Sequence, residues 1–203
     1  MIVSIEGIDG AGKNTLVTAL TEVLDAKVLA FPRYETSIHA QLASEALHGR
    51  MGDLTDSAYA MATLFALDRH FAIEELSALG IVLLDRYVAS NAAYTAARLL
   101  DDAASQWVAD LEFGRLGLPR PTLQVLLDTP AEIAQDRARR REALDASRAR
   151  DRYESDSALQ ERTADQYRRL AAQNWESPWI VATPEEDPGH VARRIAEFLG
   201  SIN

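Results

Sequence analysis

The chain has 203 residues, no cysteine, and 31 acidic against 21 basic side chains, for a formal net charge of −10. That length fits one domain with a sizeable core, and the missing cysteine excludes a disulfide framework, a thiolate zinc site and a thiol nucleophile. The acidic balance argues against nucleic acid or an anionic membrane as a partner held by bulk charge. No apolar run reaches membrane-spanning length, so the expectation is a soluble, cytoplasmic protein.

Residues 2–5 form a short apolar run that passes directly into Gly7-Ile8-Asp9-Gly10-Ala11-Gly12. Leu16, Val17, Leu20, Val23 and Leu24 follow at helical spacing, which predicts strand, glycine turn, helix. A second buried-strand run covers 28–31 and stops at Pro32. Residues 37–78 read as helical pieces broken near Gly49 and Gly52, and 81–85 is a third apolar run without alternation. Helical patterning spans 89–116, a fourth strand 123–128, and helix again from 131 to about 173 through an arginine-dense stretch. A fifth strand at 179–182 and a helix over 188–199 close the chain. Short, non-alternating strands separated by helices indicate an α/β fold: a parallel sheet covered on both faces, in a single domain over 1–203.

Residues 7–13 fit G-x-x-x-x-G-K, and Lys13 is one of only two lysines. Glycines let the backbone curl into a nest of N–H donors around a phosphate chain, the next helix adds its positive end, and the ammonium reaches the terminal phosphates. Gly7, Gly10, Ala11, Gly12, Lys13, Asn14 and Thr15 are therefore the candidate nucleotide-binding residues. Position 14 holds Asn where such loops place a Mg²⁺-binding hydroxyl, which makes Asp9 and Asp85 candidate metal-side carboxylates. No asparagine is followed by lysine, which removes the guanine-reading loop of GTPase switches.

A small-molecule kinase also needs an acceptor site. Phe31-Pro32-Arg33-Tyr34 ends the second strand, and Phe65 and Arg69 share a helical face four residues apart. An aromatic plate beside a guanidinium suits a nucleobase. Asp85-Arg86-Tyr87 ends the third strand, with Ser90, Asn91 and Tyr94 on one face of the following helix. Seven arginines lie within 137–152 against three acids, so a cationic segment of local charge +4 sits on an otherwise acidic chain. Mobile cations around a transferring phosphoryl group make this a candidate lid.

Gly-x-Asp-Gly-Ala-Gly-Lys at 7–13, Phe-Pro-Arg-Tyr at 31–34, Phe65 with Arg69, Asp-Arg-Tyr at 85–87 with Ser90-Asn91, and Arg-x-Arg-Asp-x-Tyr-Glu at 148–154 run in family order over most of the chain. Together they resemble the bacterial thymidylate kinases. The resemblance implies a three-layer P-loop NTPase fold with a five-stranded parallel sheet, a homodimer, Mg²⁺ with ATP as phosphoryl donor, and conversion of dTMP to dTDP on the way to dTTP. It also implies residue roles. Lys13, Asp9, Arg86 and Arg141 carry catalysis, and Asp9 and Glu154 face the metal. Asp9, Phe31, Tyr34, Phe65, Arg69, Arg86, Ser90, Asn91, Tyr94, Arg148 and Tyr153 surround dTMP, with Phe65 stacked on thymine, Arg69 and Asn91 reading the base edge and Tyr94 crowding the sugar 2′ position. Arg137, Arg141, Arg148 and Arg150 are the lid arginines most like the family's, with Arg137 and Arg141 on the bound ATP. The alternatives are a kinase for another nucleoside monophosphate or a deoxynucleoside, and a nucleotide-binding protein without catalysis.

Overall fold

The computed structural model describes residues 1–77, 79–144 and 151–202, with backbone alone at 141, 143 and 144. Five parallel strands form one sheet: β1 (Ile2–Glu6), β2 (Ala26–Ala30), β3 (Ile81–Asp85), β4 (Leu123–Leu127) and β5 (Trp179–Ala182), in the order β2-β3-β1-β4-β5. All five residues of β1 are buried, and its side chains divide between the two faces of the sheet. Ile2 joins Val82, Leu84 and Leu126 in one core cluster, while Val3 and Ile5 meet Leu16, Leu20, Ile195 and Leu199 in another. Burial on both faces is why the strand reads as a continuous apolar run. β2 departs from its sequence reading, beginning at Ala26 and ending at Ala30. It is an edge strand with largely exposed side chains, so a reading based on hydrophobic runs starts it too late. Phe31 lies just beyond it, its backbone N–H donating to Asp85 O at 2.9 Å.

Helices α1 (Lys13–Thr21) and α10 (Pro188–Ser201) cover one face. The other carries α5 (Val88–Leu99), α6 (Ala104–Ala109) and α9 (Ser157–Ala172). The remaining helices are α2 (Ile38–Leu47), α3 (Ala58–His70), α4 (Ile73–Leu76), α7 (Ala131–Leu144) and α8 (Arg152–Ser155). Side-chain caps set several starts: Ser37 on α2, Ser57 on α3, Asp156 on α9 and Asp187 on α10 each accept a backbone N–H of the first turn. The helical pattern read over 89–116 is broken in two places. Leu100 adopts a left-handed conformation (φ 53°) that ends α5, and a π-helical turn occupies Asp110–Arg115. Among the described residues no helix is long and apolar enough to cross a membrane.

Loops leaving the carboxyl ends of β1, β2 and β3 converge where the strand order changes direction, the place where open α/β sheets bind ligands.

Candidate active site

The loop after β1 is built on left-handed glycines, with φ 86° at Gly10 and 104° at Gly12. A Cβ on Gly10 would stand 2.1 Å from the carbonyl oxygen of Ala134, so only glycine lets α7 approach the loop this closely. Lys13 opens α1, and its buried Nζ donates to the carbonyls of Gly7 at 3.2 Å and Ile8 at 3.1 Å. Burial and the neighbouring Arg86 charge push the ammonium down to about 8, against the opposing pull of Asp9, Asp85 and Glu6.

Across the sheet, Arg86 follows β3 in a left-handed conformation (φ 68°) that non-glycine residues rarely adopt. The strain is held by its contacts. Its N–H donates to Ile5 O, Nη2 donates to Asp9 Oδ1 at 2.5 Å, and Nη1 donates to the Ser90 and Tyr167 hydroxyls. Tyr94 lies beneath the guanidinium, 5.6 Å from ring centre to Cζ, and donates its hydroxyl to Asp9 Oδ2 at 2.9 Å. Burial opposes charge on Asp9, yet Arg86, Lys13 and the Tyr94 hydroxyl outweigh it and hold the carboxyl at about 2. Asp9 is thus an anion paired with Arg86 and lying in the field of Lys13.

Behind this pair lies a carboxylate that sequence reasoning missed. Glu6 is fully buried at the end of β1 and accepts from the Tyr87 backbone N–H, the Ser90 hydroxyl and the Tyr167 hydroxyl. Burial drives its pKa up, and the Ser90 hydrogen bond and Arg86 charge work the other way. Its partners arrive from α5 and α9, so nothing local to position 6 signals the role.

Asp9, Arg86 and Ser90 border one cavity of about 230 Å³, together with Phe31, Tyr34, Phe65, Arg69, Asn91, Tyr94, Tyr153 and Glu154. Of the acceptor-site residues read from the sequence, Arg33 is not in the lining and pairs instead with Asp68 and Glu75. Arg148 lies outside the described residues, as do Arg150 and the Arg141 side chain. The others set around dTMP are there. Pro32, Leu47 and Asp151 complete the wall. Asp151 caps α8 through the N–H groups of Tyr153 and Glu154, which brings those two residues to the cavity. Tyr153 stacks on Tyr94 with centroids 6.0 Å apart and accepts a hydrogen bond from Arg98.

At the far end, α3 presents Phe65 and Arg69 on one face, as their spacing implies. Arg69 is buried and paired bidentately with Glu112, which also accepts from Asn91 Nδ2. Glu112 was likewise invisible in the sequence.

A second cavity of about 240 Å³ lies on the other side of the glycine loop, lined by Ala11, Gly12, Thr15 and Arg137 with Thr129, Thr183, Pro184 and Glu186. Thr15, rather than Asn14, lines it. Arg137 Nη1 reaches the Ala11 carbonyl at 3.5 Å, tying α7 to the loop. Arg139 and Arg152 form exposed ion pairs with Asp136 and Asp56.

One pocket holding an anion-binding arginine at one end and an aromatic plate with polar groups at the other can take a nucleoside monophosphate. The adjoining loop and cavity can take a polyphosphate nucleotide. Among the described residues no three acidic or histidine side chains stand close enough to hold a metal by themselves. Asp85 Oδ1, however, is buried without a hydrogen-bond partner, a free oxygen beside Lys13. That donor set suits Mg²⁺, which binds through one or two carboxylates plus substrate phosphates and waters.

The thymidylate kinase family model matches residues 5–199. Thymidylate kinase of Mycobacterium tuberculosis is 52% identical over 208 residues, covering 97% of both chains. That of Nitrobacter hamburgensis is 36% identical over 179 residues, covering 84% of this chain and 75% of the relative. Among solved structures, Candida albicans thymidylate kinase superposes with a TM-score of 0.72 at 21% identity, covering 98% of this chain and 91% of that one, a likeness of fold. The sequence match over nearly the whole length, on a fold that gathers the motif residues around two adjoining cavities, places this chain in the thymidylate kinase family.

Proposed function

We propose that the chain transfers the γ-phosphoryl group of ATP to dTMP, with dTMP in the Asp9–Arg86 cavity and ATP on the glycine loop. One observation carries the assignment: Arg86 and the Phe65–Arg69–Asn91 group line opposite ends of one cavity whose phosphate end adjoins the loop bearing Lys13. The dTMP phosphate would lie against Arg86 and Tyr34, its sugar against Tyr94, and thymine on Phe65. ATP phosphates would enter the nest around Gly10 and Gly12 with Lys13 on the outer phosphates, and Arg137 would close over the second cavity.

An oxygen of the dTMP phosphate attacks the γ-phosphorus, the bond to the bridging β–γ oxygen breaks, and dTDP and ADP leave. The attacking phosphate is already ionised, so no general base is needed. Catalysis is then positional and electrostatic: Arg86 and Lys13 neutralise the charge of the oxygens they hold, and Asp9 keeps Arg86 aimed. Mg²⁺ would supply further neutralisation of the ATP phosphates, held by Asp85 or Asp9, with Glu154 at the rim of the same cavity. A homodimer fits the apolar residues left exposed on α3 and α6, where Tyr59 and Trp107 meet edge to face at 4.6 Å.

Calorimetric titration tests the acceptor assignment. The expected result is that dTMP binds alone and thymidine, lacking the phosphate, binds at least about tenfold more weakly. Equal affinity for the two would contradict it.

A further inference from the structure

Glu112 lies in the π-helical turn Asp110–Arg115, a local widening that often marks functional positions in helices. It is fully buried, and its two oxygens accept three hydrogen bonds. Arg69 Nε donates to Oε2 at 2.5 Å, Arg69 Nη2 to Oε1 at 2.7 Å, and Asn91 Nδ2 to Oε1 at 2.7 Å. The second Asn91 N–H goes to the Ala62 carbonyl at 2.9 Å. Both neighbours of the Asn91 amide can only accept, so the amide has one permitted orientation, nitrogen toward Glu112 and Ala62. Its oxygen is what remains for the cavity that Asn91 lines. Arg69, with Nε–H and one Nη2–H committed, has only its remaining Nη N–H donors to offer the same cavity, and no acceptor. A donor from Arg69 and an acceptor from Asn91 match a base edge that sets a carbonyl oxygen beside a ring N–H. An exocyclic amine beside an unprotonated ring nitrogen meets the wrong partner at both positions.

We propose that Glu112 is a positioning residue that sets the hydrogen-bond polarity of the base pocket, and thereby selects thymine-type edges over cytosine-type edges. The proposal rests on the base end of the pocket assigned above. Without the carboxylate, Asn91 is free to turn its amide over and Arg69 loses its fixed aim, so both ends of the discrimination go together.

The test compares dTMP with 5-methyl-dCMP, which keeps the ring, methyl group and sugar phosphate and reverses only the two polar positions. In Glu112→Gln the KM for dTMP should rise about 10- to 100-fold with kcat within about threefold. The preference for dTMP in kcat/KM should fall by about tenfold or more. Glu112→Asp keeps the acceptor-only group, and should keep the preference even where KM rises. An unchanged preference in Glu112→Gln, or an equal loss in both variants, overturns the proposal. A wild-type enzyme that takes both nucleotides equally overturns instead the base-end reading beneath it. Should Glu112→Gln not fold, NMR on the wild type decides. The Asn91 side-chain NH₂ protons should be protected from exchange and keep their hydrogen bonds to Glu112 and Ala62 when dTMP is added, whereas a switch of those hydrogen bonds to the base on binding overturns the proposal.

Discussion

Arg86 and Asp9 meet across the carboxyl ends of β3 and β1, Nη2 to Oδ1 at 2.5 Å, and neither holds its position alone. The arginine sits on a left-handed backbone secured by Ile5 and by the Ser90 and Tyr167 hydroxyls, and the aspartate is fastened on its other oxygen by Tyr94. The pair faces the cavity as a fixed cation backed by its own counter-charge. That arrangement suits an anionic substrate and needs no rearrangement when one arrives.

Replacing Arg86 with Ala should cost about 10²- to 10³-fold in kcat, in line with loss of a preorganised charge at the reacting centre. Circular dichroism should show the fold retained, because the sheet and both core clusters are untouched. The Asp9 carboxyl, freed of its cation, should titrate higher than about 2, which carbon-detected NMR can follow.

Acid stability has a defined sign. Asp9 titrates at about 2 when folded against 3.8 as the ordinary value, so between those pH values the unfolded chain binds more protons. Its stabilising contribution is therefore complete above 3.8 and lost as pH falls through about 2. Asp9→Asn should flatten this limb of a urea-stability curve against pH, and an unchanged limb would assign acid unfolding to other carboxylates.

How much of this was readable from residues alone depends on where each partner comes from. The glycine loop, Phe65 with Arg69, and Arg86 with Ser90, Asn91 and Tyr94 each lie within one turn or one helix face, so local spacing exposes them. Glu6 and Glu112 are single acids whose partners arrive 84 and 43 residues away, and no periodicity marks them. β2 was displaced because an edge strand lacks the apolar signal that betrays β1 and β3. The break at Leu100 carries no glycine or proline to mark it, and the π-helical turn over 110–115 holds a single Gly114, which a helical pattern tolerates.

Lys13 should appear in the pH profile for ATP. Its ammonium is pushed down to about 8 in the free protein, and only the charged form attracts phosphate. The value of kcat/KM for ATP should fall as pH rises through about 8, the limb that reports the free enzyme. In Lys13→Arg, whatever its lower rate, that limb should move to much higher pH, since guanidinium stays protonated.

Phe65 separates binding from chemistry. It lines the cavity from α3 and offers no polar atom to the reacting phosphate, so Phe65→Ala should raise KM for dTMP by about 10-fold and leave kcat within about threefold. A fall in kcat of the size seen for Arg86→Ala would show that the two ends of the pocket are not independent.

The central claim, that one cavity takes dTMP and the adjoining loop takes ATP, is measured most directly by coupled ADP release from the purified chain with Mg²⁺, supplying each nucleotide alone and then both. Release that requires ATP and dTMP together, with one dTDP formed per ADP, is the expected result. Release from ATP alone at the same rate, or an absence of turnover with both present, would contradict it.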